Sequence, residues 1–425
     1  MNNREQFKVE FIAVGSELLL PYFKDTNSLY LTKHLNDIGM DVSFRTIVGD
    51  DWDDLILSIQ SALSRADIIF TIGGLGPTYD DRTREAFSHV LGRKLIFKKE
   101  LLEKIEERFR KRGIIMPRVN EKQAYIFKGA QILENRNGTA PGLWLDTGEK
   151  IVSLLPGPPH ELKPMFETYV LPRLQEFKTG YRIRQVLKIT GLTESKTEAI
   201  LSDIYPDSPY LKLILLASPG QIEIHLTSYS DQSQHQAESR MQKIEKSIVN
   251  RLKRDIFSTS NEELEEVVGK LLSSQGHTLA TAESCTGGLL GHRLTNVPGS
   301  SKYFLQSMVV YSNESKNQAL NISASFIEKN GAVSAEVAQI MAIRTREIAQ
   351  ASLGLAITGI AGPGGSTPEK PVGLVYIALA WDKGIEIEKN LFLGNREIIK
   401  FQASQKALDM LRRFLLNSQS KIKHN

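Results

Sequence analysis

The chain has 425 residues, of which 41% are hydrophobic and 24% charged, with a net charge of +4. That length predicts several domains, and so small a charge does not by itself point to a nucleic-acid or anionic-membrane surface. One cysteine, Cys285, excludes an intrachain disulfide and a Cys-rich metal site, which fits a reducing, cytoplasmic setting.

The first block, about residues 7–173, alternates strands and helices. Strands are predicted over Val9–Val14, Asp41–Val48 and Asp67–Ile72, with helices over Thr26–Ile38 and Asp51–Arg65 between them. Leu55, Ile59 and Leu63 are spaced for one buried helix face. The alternation predicts a parallel, doubly wound α/β sheet, which binds ligands beyond the carboxyl ends of its strands. Two Gly-bearing turns fall there, Gly15-Ser16-Glu17 and Gly73-Gly74-Leu75-Gly76-Pro77-Thr78.

The second block, about 181–257, reads β-α-β-β-α-β, a small split α/β module. A strand over Gln185–Ile189 precedes a helix over Ser195–Ile204, with Ser195 and Glu198 spaced as a capping box. Ser218-Pro219-Gly220 marks a hairpin between strands 211–217 and 221–229. A polar helix over Gln234–Leu252 and a short strand over Asp255–Ser258 follow. The order resembles a KH arrangement without the Gly-x-x-Gly loop that clamps RNA, which predicts a spacer or dimerising role.

The third block, about 262–416, is again α/β. A helix over Glu262–Gly276 leads to a strand over His277–Thr281, and further strands are predicted over Met308–Tyr311, Leu353–Thr358 and Val372–Ala380. Ser334 is expected to cap a helix whose Val337, Ile340, Met341 and Ile348 share one face. An amphipathic helix over Glu397–Leu416 closes the block, and a polar tail follows that is expected to fray. The polar start, residues 1–6, lacks a secretory apolar core, and no apolar run is long enough to span a membrane.

Ala282-Glu283-Ser284-Cys285-Thr286-Gly287-Gly288 carries the densest chemical signal, a hydroxyl where a strand turns into a helix near Leu289. The amides of Cys285, Thr286, Gly287 and Gly288 at such a turn suit a phosphate or an oxyanion. Serine needs a base, and no histidine is patterned as one. Tyr311-Ser312-Asn313-Glu314-Ser315-Lys316 offers a desolvated lysine, with the tyrosine hydroxyl as a relay. Ser284, Tyr311 and Lys316 then form a His-free hydrolytic triad. Cys285 is the competing nucleophile, and Glu283 either orients Lys316 or caps a neighbouring amide. The turn from Thr358 and Gly359 through Gly362 to Gly365 suits a phosphate, with Arg396 as a fork donor. In the first block, Gly73, Gly74 and Gly76 let backbone amides approach a diphosphate. Asp80 and Asp81 could hold a divalent ion or cap a helix.

These motifs, with Val297-Pro298-Gly299-Ser300-Ser301, Gly331-Ala332-Val333-Ser334 and Pro368-Glu369-Lys370-Pro371-Val372-Gly373, resemble the C-terminal domain of the CinA family. The resemblance implies deamidation of nicotinamide mononucleotide (NMN) to nicotinate mononucleotide and ammonia, without a cofactor. Ser284 would be the nucleophile, with Tyr311 and Lys316 as its activators. Residues 15–19, Asp25-Thr26-Asn27, the Gly-rich turn with Thr78, 138–142 and 155–162 resemble that family's N-terminal, molybdopterin-binding-like domain. There the resemblance implies an ADP-ribose pyrophosphatase with a divalent metal, magnesium or similar, and allows a monovalent cation beside it. Glu17, Asp80 and Asp81 would be the metal residues, and Asn27 and Thr78 would contact substrate. Ser16 stands where many relatives carry aspartate, and Leu20-Pro21-Tyr22-Phe23-Lys24 replaces a loop that usually contains glycine. NMN and ADP-ribose are the expected partners, in a homo-oligomer. The competing readings are a non-catalytic nucleotide- or pterin-binding protein and a competence-related scaffold.

Overall fold

The computed structural model describes residues 7–177, 180–204, 208 and 210–422. The polar start and the last three positions of the tail lie outside them. The chain divides into two compact units between Tyr181 and Arg182.

The first unit is built on a six-stranded sheet in the order Val42–Val48, Val9–Val14, Ile68–Ile72, Ile151–Leu155, Gly142–Asp146, Gln131–Leu133. The first four strands run parallel. Along Val9–Val14 the side chains alternate between two cores. Val9 and Phe11 join Leu31 and Leu35 of helix Thr26–Asp37, while Ile12 and Val14 join Leu55 and Ile59 of helix Trp52–Arg65. A doubly wound strand is therefore apolar on both faces. Leu63 is only partly buried against this core. The sheet departs from the expected all-parallel arrangement at its edge, where Gly142–Asp146 and Gln131–Leu133 are antiparallel. A short turn, with Thr147 N–H donating to Lys150 O, joins Gly142–Asp146 to Ile151–Leu155, and such a hairpin permits only antiparallel pairing.

In the second unit, Leu211–Ser218, Gln221–Ser230, Tyr181–Ile189 and Ile256–Ser258 form a four-stranded sheet, in that order. Helices Glu194–Leu201 and Gln234–Leu252 pack on it, burying Leu201, Ile244 and Ile248. The first of these helices starts earlier than its capping-box spacing predicts. Thr193, not Ser195, is the cap and accepts from Lys196 N–H.

A five-stranded sheet follows in the order Phe304–Val309, Leu279–Glu283, Leu353–Gly359, Leu374–Trp381, Gly384–Leu391. The first three strands are parallel and the last two antiparallel. Helices Leu264–Gln275 and Arg396–Ile422 cover one face with Val268, Leu272, Ala407 and Leu411. Helix Ala335–Ile348 covers the other with Val337 and Met341. Ser334 caps that helix, accepting from Val337 N–H, but Ile348 at its far end is exposed, outside the apolar stripe. Two strands sit differently from expectation. Leu279–Glu283 starts after His277 and runs on through Glu283, and Phe304–Val309 ends before Tyr311. No helix among the described residues is long and apolar enough to cross a membrane.

Candidate active site

The parallel strands Leu279–Glu283 and Phe304–Val309 end side by side, which brings Ser284 and Val310 to one rim of the sheet. Ser284 N–H donates to Ile357 O (2.9 Å) and Val310 N–H to Glu283 O (2.8 Å), fixing both backbones. The chain then turns through Gly287 (φ 60°) and Gly288 (φ 93°), left-handed conformations that disfavour any side chain.

Helix Asn313–Leu320, capped by Ser312, carries Lys316 back to that rim. Lys316 is buried, and its Nζ lies 3.2 Å from Ser284 Oγ, 2.9 Å from Val310 O and 3.4 Å from Tyr311 O. No carboxylate pairs with it among the described residues. Burial holds its pKa below the ordinary lysine value. A neutral amine has two hydrogens and one lone pair. With its hydrogens on the two carbonyls, such an amine would turn its lone pair to the Ser284 hydroxyl.

Glu283, which the sequence left open, does not touch Lys316. Its buried carboxylate accepts from the amides of Gly288 (3.0 Å), Leu290 (3.1 Å) and Gly291 (2.8 Å), capping helix Leu289–Thr295. This corrects the expectation that the helix N-terminus is free. Gly288 N–H is taken by Glu283 and Gly287 N–H by Ser284 O. No oxygen accepts from the amides of Cys285 and Thr286 among the described residues, and the buried Thr286 Oγ1 has no partner. Cys285 is buried, which pushes its thiol up to about 12 and leaves it protonated and unreactive at neutral pH.

Tyr311 sits differently from the expected relay. Its carbonyl, not its hydroxyl, meets Lys316, and the residue is 60% exposed. The hydroxyl accepts from Arg396 Nη2 (2.8 Å), while Arg396 Nη1 donates to Gly362 O (2.7 Å). Thr358 is not an available phosphate donor, because it is buried and its hydroxyl donates to Ala332 O (2.8 Å). Gly359 belongs to the strand opposite Val375, where an added Cβ would come within 2.6 Å of Val375 Cγ2. Gly362 instead positions Arg396. Lys400 was missed in the sequence. A Cβ at Gly287 would lie 3.8 Å from its Nζ, and Lys400 falls one helical turn after Arg396, the spacing that could have found it.

In the first unit, Glu17, Gly73, Gly74, Gly76, Asp80 and Asp81 line one pocket of about 370 Å³. The glycines are required by close approach. A Cβ at Gly73 would sit 2.3 Å from Val14 O, and one at Gly74 2.0 Å from Thr83 Oγ1. Asn27 lies in a neighbouring pocket, its amide donating to Gly157 O (2.7 Å). The carboxylates do not assemble into a ligand set for the implied divalent ion. Asp81 accepts from Thr78 N–H (2.9 Å) and the Thr78 hydroxyl, Asp50 from Ser16, and Glu161 from Asn135. Among the described residues no group of three or more His, Cys, Asp or Glu could hold a metal. Glu17, Asp80 and Asp81 thus share a pocket without forming a metal centre, and the residues as arranged do not fit the ion.

Comparison with known proteins follows this division. Residues 10–176 match the family described as "Probable molybdopterin binding domain", 184–258 the CinA KH domain and 261–415 the CinA C-terminal domain. A CinA-like protein of Koribacter versatilis is 42% identical over 412 residues, covering 96% of this chain and 99% of that one. One of Acidobacterium capsulatum is 44% identical over 412 residues, with 96% and 99% covered. A solved CinA superfamily structure from Klebsiella pneumoniae shares 32% identity over 36% of this chain and 96% of its own, with a TM-score of 0.36. With near-complete coverage at such identity, the chain belongs to the CinA family.

Proposed function

We propose that the C-terminal domain is an amidohydrolase that deamidates NMN to nicotinate mononucleotide and ammonia. The observation that carries this reading is the buried amine of Lys316, 3.2 Å from Ser284 Oγ and without a carboxylate partner. Neutral Lys316 takes the Ser284 proton as Oγ bonds to the carboxamide carbon. The amides of Cys285 and Thr286 meet the oxyanion. Lys316 then returns the proton to the departing nitrogen, the C–N bond breaks, and ammonia leaves an ester on Ser284. Water, giving its proton to Lys316, cleaves that ester, and Lys316 reprotonates Ser284. Arg396, braced by Tyr311 and Gly362, offers the substrate phosphate its remaining donors, with the Lys400 charge one turn along the same helix. Tyr311 thus acts through Arg396 rather than as a proton relay.

The test is product analysis of the purified protein with NMN in ¹⁸O-labelled water. One label in the product carboxylate with equimolar ammonia supports the reaction. Binding without ammonia release would leave the domain a nucleotide-binding module.

A second reading concerns the first unit, where Gly73, Gly74 and Gly76 line a pocket beyond the carboxyl end of the parallel strand Ile68–Ile72. This supports binding of a nucleoside diphosphate such as ADP-ribose. Hydrolysis there is a separate matter, since no group of three or more carboxylates or histidines gathers to hold a metal among the described residues. Calorimetry with ADP-ribose and a search for AMP among the products separate binding from turnover.

A further inference from the structure

Helix Lys99–Lys111 sets Lys104, Arg108 and Lys111 four and three residues apart, on one stripe. That stripe lines a cleft of about 390 Å³ whose other wall is the segment from Asn135 to Pro141. Leu101 and Ile105, both buried, and Pro141 give the cleft an apolar floor.

Its charges are not balanced. Lys104 pairs with Glu134 (3.7 Å) and Lys111 with Glu107 (2.9 Å), which accounts for both carboxylates lining the cleft. Arg108 and Arg136 have no carboxylate partner among the described residues. Arg108 spends Nη1 on the carbonyls of Asn135 and Gly138, which fixes its plane, and its Nη2 has no partner there. Two uncompensated guanidiniums match the charge of one phosphate monoester, about −1.5 to −2 at neutral pH. The apolar floor beneath them suits a flat ring.

We propose that this cleft is a second ligand site of the N-terminal domain, taking a nucleoside monophosphate with its base on Leu101, Ile105 and Pro141 and its phosphate on Arg108 and Arg136. The site is distinct from the Gly-rich pocket, which Gly73, Gly74, Asp80 and Asp81 line, although Thr139 borders both. The wall between them is hydrogen-bonded on each side. Arg108 holds Asn135 O and Gly138 O, while the Asn135 amide holds Glu161 (2.6 Å) and Ala140 O (2.8 Å). The inference stands apart from the deamidase reading and needs no hydrolysis in the first unit.

Photolabelling of the full-length protein with 8-azido-AMP, followed by peptide mapping, tests it. Label on peptides from 99–111 or 131–141 is expected. Arg136, exposed, can be replaced without loss of fold, so calorimetry with AMP on Arg136→Ala should show binding weakened by about tenfold or more. Inorganic phosphate and adenosine should each bind wild type more weakly than AMP. Label confined to 73–81 or 155–161, no label at all, or unchanged AMP affinity in Arg136→Ala would each overturn the proposal.

Discussion

The rim around Ser284 and the pocket around Gly73 are both Gly-bearing turns at the ends of parallel strands, yet they treat their charged groups oppositely. At the first, the carboxylate of Glu283 is drawn away to three helix amides, and the amine of Lys316 is left buried against one hydroxyl. At the second, Asp81 is held by Thr78, Asp50 by Ser16 and Glu161 by Asn135, each carboxylate tied to a different neighbour. Charged groups in a turn become reactive only when the fold leaves one of them desolvated and unpaired. Spacing in the chain does not reveal which will be left.

The contrast can be broken most sharply at Lys316. Lys316→Ala should lower kcat for NMN deamidation by about 10³-fold, within the range for loss of a positioned base, with little change in substrate affinity by calorimetry. Removing Asp80 by Asp80→Ala should leave that reaction unchanged, since it lines the other pocket.

Arg396→Ala should raise KM for NMN by about tenfold or more while lowering kcat less, because a charge-assisted phosphate contact is lost without touching the base. Tyr311→Phe should shift KM in the same direction by a smaller factor. A Tyr311→Phe enzyme with intact KM and collapsed kcat would restore the hydroxyl as a relay.

The rate should also follow the Lys316 proton. Burial lowers its pKa, and the reaction needs the neutral amine, so kcat/KM should rise with pH, with a midpoint below the ordinary lysine value. The same shift sets a stability trend. The unfolded chain holds this proton to higher pH than the folded one, so stability gains as pH climbs from the lowered value towards the ordinary one. A pH–rate profile and denaturant midpoints check the two.

Glu283→Ala should destabilise the fold by about 3 kcal/mol, since it leaves helix amides buried without an acceptor; urea unfolding measures this. The smallest effect is expected at Cys285. Its thiol, pushed up to about 12 by burial, should resist iodoacetamide until the protein is unfolded, and Cys285→Ala should keep most activity.

Much of the architecture was legible because doubly wound strands are apolar throughout and their helices carry regular stripes, as Leu55 and Ile59 show. The Ser284 turn was legible too, since two glycines after a strand leave few alternatives. What escaped were matters of partner choice. Glu283 reads as a polar turn residue, but it ends the strand and accepts from the amides beyond. Tyr311 lies in the right motif, yet its hydroxyl goes to Arg396, 85 residues on, a pairing that no local spacing encodes. Thr193 outcompeted Ser195 as a cap because its hydroxyl, not the serine's, meets a free amide. The antiparallel edge of the first sheet went unread because its strands Gln131–Leu133 and Gly142–Asp146 are only 3 and 5 residues long, too short for a clear alternation.

Ammonia release from NMN by wild type and by Ser284→Ala tests the central claim most directly. Stoichiometric ammonia and nicotinate mononucleotide from wild type, with none from a folded Ser284→Ala protein, is the predicted result. Ammonia formed at the same rate by both would contradict it.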